Sequence, residues 1–385
     1  MTQFVAPGAT VGIIGGGVAA YELARAASHY GMKTVVLTPQ AEDIALQAAD
    51  YGIIGNARDV HAFTELRDRS TIITYINESV ADGDMLAENL DSAQLPSGTD
   101  ILAFTQDRYL EKVFLEDQNL NVLPYGQVIT PDDIEKVLMT IGYPSVIKPI
   151  QKAAGADQQL LLRSDVDVWR AKGLLQKRPY ILEAWLDQPR TLSVLCVKSS
   201  KGLQVLPLVE TRQNHENFRG AVVPAQVDGS VLIEVLRIAE KLGNKIDYTG
   251  VFSIEFFLTA EGALYVKKVA PGMRLSGDIL RAVGRSSQYA LHMRAILGWP
   301  VPTLQINGSA VMLPLTADNV DAVNTQIQLK DKWRWQFFPQ GNALRGELSV
   351  PGPLRDAFAA LDATGAFDVD GLTYVQQLDN EGDNS

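Results

Sequence analysis

Cysteine is almost missing from this sequence of 385 residues, in which Cys196 is the only one. A single cysteine cannot close an internal disulfide, so a small secreted scaffold held together by disulfides is excluded. The segment from Met1 to Val5 also lacks the basic and apolar parts of a secretory signal. We therefore expect a cytoplasmic protein.

Histidine and long apolar runs are scarce as well. The four histidines, at positions 29, 61, 215 and 292, have no zinc-ligand spacing. No uncharged apolar stretch approaches the ~20 residues that cross a bilayer. The formal net charge of −11 disfavours a nonspecific nucleic-acid surface. We expect small anionic ligands as partners, and neither nucleic acid nor membrane.

The first hundred residues alternate between apolar runs and a helical pattern, which is typical of βαβ units. A glycine-rich turn follows the first run, and a helical pattern then leads to Gly31. We predict an α/β fold that starts with a doubly wound parallel sheet over residues 1–104. Its predicted strands are Thr10–Ile14, Thr34–Leu37, Tyr51–Ile54, Thr71–Tyr75 and Ile101–Phe104.

The remaining sequence predicts two further domains, over residues 105–299 and 300–385. The first contains a lid subdomain at about 115–179, and the second is small and strand-rich. Helices are predicted at Gln106–Leu115, Asp132–Ile141 and Ile233–Leu242, and a strand that ends at Lys148. Strands at Tyr180–Glu183, Leu192–Val197 and Val205–Val209 are assigned to the larger half beyond the lid.

Two alternating apolar runs, Gly250–Phe257 and Ala263–Val269, flank a turn at Thr259–Gly262 and predict a β-hairpin. Side chains alternate across a strand, so Lys267 and Lys268 are predicted on opposite faces. We therefore expect one of these lysines to lie beside Glu255.

The turn Gly15-Gly16-Gly17, followed by Ala20, fits a relaxed dinucleotide fingerprint, in which glycines let a phosphate approach a helix N-terminus. A dinucleotide-dependent oxidoreductase is one hypothesis. The next predicted strand ends in Thr38 rather than in the acid that usually binds the ribose. A phosphate cradle and a purely structural turn both remain open.

The hairpin resembles the metal-binding hairpin of ATP-grasp enzymes, and in detail that of 5-(carboxyamino)imidazole ribonucleotide synthases. The resemblance extends over nearly the whole chain and implies an ATP-grasp fold with a Rossmann-like N-terminal domain. It also implies an ATP-dependent carboxylating ligase of purine biosynthesis that acts on aminoimidazole ribonucleotide. The matching residues include Gly250, Val251, Glu255, Phe257, Ala270, Pro271, Ser276, Gly277, Ser287, Gln288, His292, Arg294, Ala295 and Ile296.

The resemblance also assigns site residues. Arg108, within Gln106-Asp107-Arg108 and followed by Lys112, and Lys148 would contact the ATP phosphates. Backbone groups of a hinge would read the adenine edge, and Glu255 would be a metal ligand. Members of the family are commonly dimeric, which leaves a homodimer open. The hinge is Glu183, Ala184, Trp185 and Leu186, and the ribonucleotide would contact Gly15, Gly16, Gly17 and Glu78.

Glu78 follows a predicted strand, and a solvated acid remains open beside the substrate-binding role. The family's histidine in a later segment is replaced by Gln213, and His215 is a candidate substitute. The loop 153–159 lacks two glycines of the family motif, and the C-terminal phosphate-binding cations are absent apart from Arg345.

The main departure lies in the hairpin, where Lys267-Lys268 replaces the family's Asn-Glu. We predict that Lys268, or as the second choice Lys267, stands in for Mg²⁺ opposite Glu255, so that metal binding is weakened while ATP still binds. An ordinary cross-strand ion pair in a site that binds nothing remains open. The sequence then indicates a divergent ligase with impaired or altered catalysis. A catalytically inactive paralogue that binds a nucleotide or a partner protein is the alternative.

Overall fold

The computed structural model describes residues 3–152, 159–175, 178–214, 217–339 and 343–369. Within these ranges no helix is long and apolar enough to cross a membrane. The strands are β1 (Thr10–Ile14), β2 (Lys33–Thr38), β3 (Tyr51–Ile54), β4 (Ile72–Tyr75), β5 (Tyr125–Val128), β6 (Ser145–Pro149), β7 (Leu160–Leu162), β8 (Tyr180–Ala184), β9 (Arg190–Ser199), β10 (Gly202–Val205), β11 (Val209–Asn214), β12 (Asn217–Val223), β13 (Gly250–Leu258), β14 (Leu264–Pro271), β15 (Ala310–Leu315), β16 (Arg334–Phe337) and β17 (Gly346–Pro351).

The helices pack on three sheets formed by these strands. They are α1 (Gly17–His29), α2 (Val60–Arg69), α3 (Gly83–Asn89), α4 (Asp100–Thr105), α5 (Arg108–Asp117), α6 (Pro131–Ile141), α7 (Asp165–Leu174), α8 (Gly229–Lys245), α9 (Leu280–Val283), α10 (Gln288–Ile296), α11 (Val320–Leu329) and α12 (Leu354–Asp362).

The N-terminal sheet is parallel, with four strands in the order β3-β2-β1-β4. Both faces are covered, which explains why the strands read as nearly continuous apolar runs. On one face Ile13 packs in a cluster with Leu23 of α1, and on the other Leu37 packs in a cluster with Phe63 of α2. The predicted parallel sheet is confirmed.

One predicted strand of this domain is wrong, because Ile101–Phe104 lies within helix α4. Ile101, Leu102 and Thr105 are buried, whereas Ala103 is exposed. Positions four residues apart, such as Ile101 and Thr105, share a helix face. A run of four apolar residues does not distinguish a strand from a buried helix.

The lid contains an antiparallel sheet in the order β5-β8-β6-β7, covered by α6 and α7. Strand β8 belongs here because it pairs with β6, with Ile181 opposite Lys148. Its predicted assignment to the larger half is therefore wrong, since a strand's pairing partner is not encoded in its own pattern. The predicted strand Val205–Val209 is also wrong. It spans the end of β10 and the start of β11 around Pro207, which has no N–H for a ladder.

The large sheet runs β14-β13-β9-β11-β12-β15-β17-β16, with β10 paired to β9. Helix α8 covers one face through Val235, Ile238 and Leu242, which pack in a cluster with Phe252 and Ile254 of β13. Strand β15 pairs with β12, so the C-terminal strands extend the same sheet. The predicted hairpin of β13 and β14 lies at the other end of this sheet.

Candidate active site

The hairpin of β13 and β14 places two lysines on one carboxylate. Lys268 lies opposite Glu255, but the next pair is Phe256 with Val266, so Lys267 is the extra residue of a β-bulge. Lys267 Nζ is 3.2 Å from Glu255 Oε2, and Lys268 Nζ is 3.2 Å from Glu255 Oε1. The prediction that only one lysine lies beside Glu255 is wrong, because a bulge interrupts the alternation of side chains.

Glu255 is buried and stays ionised because of these cations. Burial raises its pKa, but Lys268, Lys267 and Arg274 outweigh that effect and hold the pKa well below the ordinary value. Arg274 Nε is 3.9 Å from Glu255 Oε1 and also donates to Ser253 Oγ. In turn, burial together with Arg274 and Lys267 outweighs Glu255 and lowers the pKa of Lys268 to about 8.

The residues around Glu255 do not fit a Mg²⁺ ion. Magnesium takes oxygen ligands in near-octahedral geometry, whereas an ammonium group has only hydrogens to offer. Each oxygen of Glu255 is engaged by a lysine. Among the described residues, no group of three or more His, Cys, Asp or Glu side chains is placed to hold a metal ion. The hairpin therefore offers a cationic surface where the family's ligands would present an anionic one.

A second charged cluster connects the N-terminal domain to the hairpin. Lys152 Nζ lies 2.7 Å from Glu111 and 3.7 Å from Glu78, and Arg274 lies 3.7 Å from the other oxygen of Glu78. Glu111 also accepts from the Val269 N–H at 2.8 Å. Since Glu78 is 6% exposed, the interpretation as a solvated acid is wrong. The buried carboxylate of Glu78 is shared between Lys152 and Arg274.

Sequence reasoning missed Glu111 and Lys152, which are central to this cluster. Glu111 is the residue immediately before Lys112, one of the residues matched to the family. It lies on the buried side of α5, as the strong amphipathic pattern of that helix indicates. A buried acid needs a partner. An acid on the buried side of a predicted amphipathic helix was therefore the sequence signal that could have identified Glu111.

A third cluster surrounds Glu183 in the hinge. Glu183 forms ion pairs with Lys112 and with Lys148, the latter at 2.9 Å. Burial raises the pKa of Glu183, but the two lysines more than offset it and lower the pKa to about 2. Arg108 Nη1 donates to the carbonyls of Pro149 and Gln151, which holds α5 against the end of β6. The structure thus brings together Arg108, Lys148 and Glu183.

Two backbone N–H groups of the predicted adenine hinge already form hydrogen bonds within the protein. The Ala184 N–H donates to the Pro124 carbonyl at 2.8 Å, and the Trp185 N–H donates to the Pro144 carbonyl at 3.0 Å. Any adenine contact therefore falls to the other backbone groups of Ala184, Trp185 and Leu186. The Trp185 side chain is 37% exposed at this edge and can supply an apolar surface.

The glycine loop holds a carboxylate of the protein itself. Asp43 Oδ1 accepts from the Gly17 N–H at 2.8 Å, and Oδ2 accepts from the Thr38 hydroxyl at 2.9 Å. A Cβ added at Gly16 would lie 1.8 Å from Asp43 Oδ2, so this glycine is needed for the close approach. A phosphate here would meet a fixed negative charge. This geometry favours the structural turn among the alternatives that the sequence left open.

Other predicted site residues are only partly described. His215 and residues 153–158 lie outside the described ranges. Gln213 accepts from Lys267 Nζ at 3.2 Å, so it supports the lysine pair. In the C-terminal segment, Arg345 is the only cation among residues 337–339 and 343–347.

Comparison with known proteins agrees with this fold. Residues 113–289 match the ATP-grasp domain, and residues 8–97 match the ribonucleotide synthetase preATP-grasp domain. The fold and the paired lid and hairpin thus define an ATP-grasp protein. A Bacillus subtilis N5-carboxyaminoimidazole ribonucleotide synthase is 30% identical over 328 residues, which cover 85% of this chain and 86% of the relative. This chain belongs to the N5-carboxyaminoimidazole ribonucleotide synthase family.

Solved structures lead to the same family. An ADP complex of an N5-carboxyaminoimidazole ribonucleotide synthetase has a TM-score of 0.87 and 28% identity, and covers 95% of this chain and 98% of its own. The Aspergillus clavatus enzyme, in complex with ADP and 5-aminoimidazole ribonucleotide, shares the fold with a TM-score of 0.83 at 23% identity. That alignment covers 95% of this chain and 99% of the fungal one. The resemblance seen in the sequence is confirmed.

Proposed function

We propose that this protein binds ATP between the lid and the large sheet without requiring Mg²⁺, and that its carboxylation of aminoimidazole ribonucleotide is impaired or altered. The observation that carries the proposal is the pair of lysines on Glu255, with each Nζ 3.2 Å from a carboxylate oxygen. Family membership supplies the reaction class. The two lysines of the hairpin are the reason to expect a reaction that differs from that of the family.

The electrostatic repulsion between the lysines and a divalent cation is large enough to weaken metal binding severely. Replacing a metal-binding carboxylate with lysine changes the local charge by about two units, and two unit charges ~4 Å apart interact by about 4 kcal/mol at an effective dielectric of ~20. A divalent cation beside Lys267 and Lys268 meets that repulsion. An ammonium has three donors, so Lys268 can contact Glu255 and still donate to a phosphate.

Other cations of the cleft complete the proposed nucleotide site. Lys148 and Arg108 lie at the end of β6 and the start of α5, where the lid meets the body. Lys148 forms an ion pair with Glu183 at 2.9 Å, which holds its side chain at this edge of the cleft. The ADP held by the related synthetase supports the assignment of this cleft to a nucleotide. The family resemblance assigns Glu78, which is paired with Arg274, to the second substrate.

The test is ADP release by the purified protein with MgATP and bicarbonate, with and without aminoimidazole ribonucleotide. We expect ATP to bind, with ADP release that the ribonucleotide does not stimulate. The Bacillus subtilis relative serves as the positive control. Stimulated release at a rate similar to that of the relative would overturn the proposal. ADP release that the ribonucleotide does not stimulate, together with retained nucleotide binding, would support the proposal. Complete loss of catalysis with retained nucleotide binding would support it as well.

The lowered pKa of Lys268 predicts a pH dependence of nucleotide binding. The charged ammonium favours the anionic nucleotide, and its pKa of about 8 places deprotonation within an accessible range. ATP affinity in EDTA should therefore fall as the pH rises from about 7 to 9. Lys268→Arg keeps the charge throughout, because a guanidinium stays protonated. Titration calorimetry of both proteins should show a much flatter profile for the arginine variant. Identical profiles would exclude Lys268 as the titrating group.

A further inference from the structure

A separate cavity of about 460 Å³ lies between helix α1 and the segment that leads into α10. It shares no lining residue with the clusters around Glu255, Glu78 and Glu183. Among its lining side chains are Arg25 and His29 from α1, and Arg281, Arg285 and Ser286 from the opposite wall. Three arginines in one cavity are notable in a chain whose net charge is −11. This basic cavity has no role in the proposed nucleotide site.

Arg281 lines the basic cavity and is held in place by neighbouring side chains. Its Nη2 lies 2.7 Å from Glu22 and 3.5 Å from Asp278, and its Nη1 donates to Gln336. A guanidinium fixed by three partners loses little further conformational freedom when it binds a ligand. Arg281 is therefore a preorganised cation rather than a mobile surface side chain.

The carboxylates nearby do not neutralise this wall. Glu22 is shared between Arg281 and Arg25, whose Nη1 lies 3.2 Å away. Burial raises the pKa of Asp278, and burial together with Asp278 raises the pKa of Glu347 well above its ordinary value. Neither Asp278 nor Glu347 lines the cavity, whose lining residues include three arginines and one carboxylate, Glu22. The balance of the cavity remains positive.

One arginine of the basic cavity, Arg285, has no partner among the described residues. Arg285 is exposed and, within the described parts of the chain, forms no ion pair or hydrogen bond. Helix α10 begins at Gln288 beside it, and the partial positive charge of a helix N-terminus adds to the same sign. Tyr30 lines the cavity as well and offers an aromatic face.

We propose that the basic cavity is a binding site for a phosphate monoester dianion. The planar fork of an arginine binds phosphate oxygens through two parallel hydrogen bonds. Arg285 and Arg25 supply such forks from opposite walls, whereas Arg281, whose Nη1 and Nη2 are engaged by Gln336, Glu22 and Asp278, contributes its positive charge. A volume of about 460 Å³ falls within the range of small-molecule pockets, so the ligand is a phosphorylated small molecule rather than a polymer. The site adds to the proposed nucleotide site and does not depend on it.

The experiment is a calorimetric titration of the full chain with inorganic phosphate and with ribose 5-phosphate. We expect saturable binding that Arg285→Ala weakens at least ~10-fold, equivalent to about 1.4 kcal/mol. Arg25→Ala should act in the same direction. The matched control is Arg355→Ala, which removes an exposed arginine on α12 and should leave the affinity unchanged.

A further variant separates this site from the nucleotide cleft. Lys268→Ala should leave phosphate affinity unchanged, whereas it would weaken any phosphate bound at the hairpin. Tighter binding of ribose 5-phosphate than of phosphate supports a monoester as the ligand. Equal affinities would identify free phosphate and overturn the monoester. Lack of saturable binding, or unchanged affinity in both Arg285→Ala and Arg25→Ala, would overturn the proposal.

Discussion

Changing Lys268 to glutamate is expected to make nucleotide binding depend on Mg²⁺. In the natural protein, ATP affinity should be nearly the same in EDTA and in Mg²⁺, because ammonium groups already neutralise the phosphates. In Lys268→Glu the affinity in EDTA should fall at least ~30-fold, about 2 kcal/mol and half of the ~4 kcal/mol expected for one charge contact. Mg²⁺ should restore much of it, because Glu255 and the new glutamate then form the oxygen pair that a divalent cation requires.

Titration calorimetry in the two buffers measures this effect directly. Lys33→Glu is the matched control, since it makes the same charge change at an exposed lysine at the start of β2. It should show no new dependence on Mg²⁺. If ATP binding by the natural protein vanishes in EDTA, and Lys268→Glu shows the same dependence, the lysine does not replace the metal.

Changing Glu183 to glutamine is expected to destabilise the fold by about 3–5 kcal/mol, the usual cost of leaving a buried ion without its partner. Lys112 is 4% exposed and would have only a neutral amide beside it. The loss should appear as a lower urea midpoint, and nucleotide affinity should fall as the hinge loosens. Acid should weaken the natural protein as the pH falls from about 4.5 to about 2, because the pKa of Glu183 is lowered in the fold and its contribution is lost on protonation.

Glu234→Gln provides the comparison for this substitution. Glu234 pairs with Arg237 on the exposed face of α8, where an ion pair contributes under about 1 kcal/mol. Its urea midpoint should change little. Equal and small effects in both variants would show that Lys112 finds another partner or gives up its proton.

Local patterns predicted much of the fold, and failed where two structures share one pattern. The parallel N-terminal sheet followed from apolar runs that alternate with a helical pattern, and the hairpin followed from period-two alternation around a glycine turn. Ile101–Phe104 was assigned to a strand because four apolar residues suit either structure. Strand β8 was recognised as a strand, but its pairing with β6 in the lid required the tertiary structure.

The candidate site shows the same division. Matching of residues to the family found Arg108, Lys148, Glu183 and Glu255. It also identified the replacement at positions 267 and 268. It missed Lys152, whose partners Glu78 and Glu111 are 74 and 41 positions away by residue number. Contacts between groups so distant in sequence leave no periodic signal.

The sequence by itself determined the family, the parallel N-terminal sheet, the hairpin and the replacement of the family's Asn-Glu pair by two lysines. Only the tertiary structure decided where those lysines lie. A bulge after Glu255 turns Lys267 to the same side as Lys268, so that one carboxylate is held by two ammonium groups. Backbone register depends on hydrogen bonds across the whole hairpin, whereas side-chain alternation describes a single regular strand.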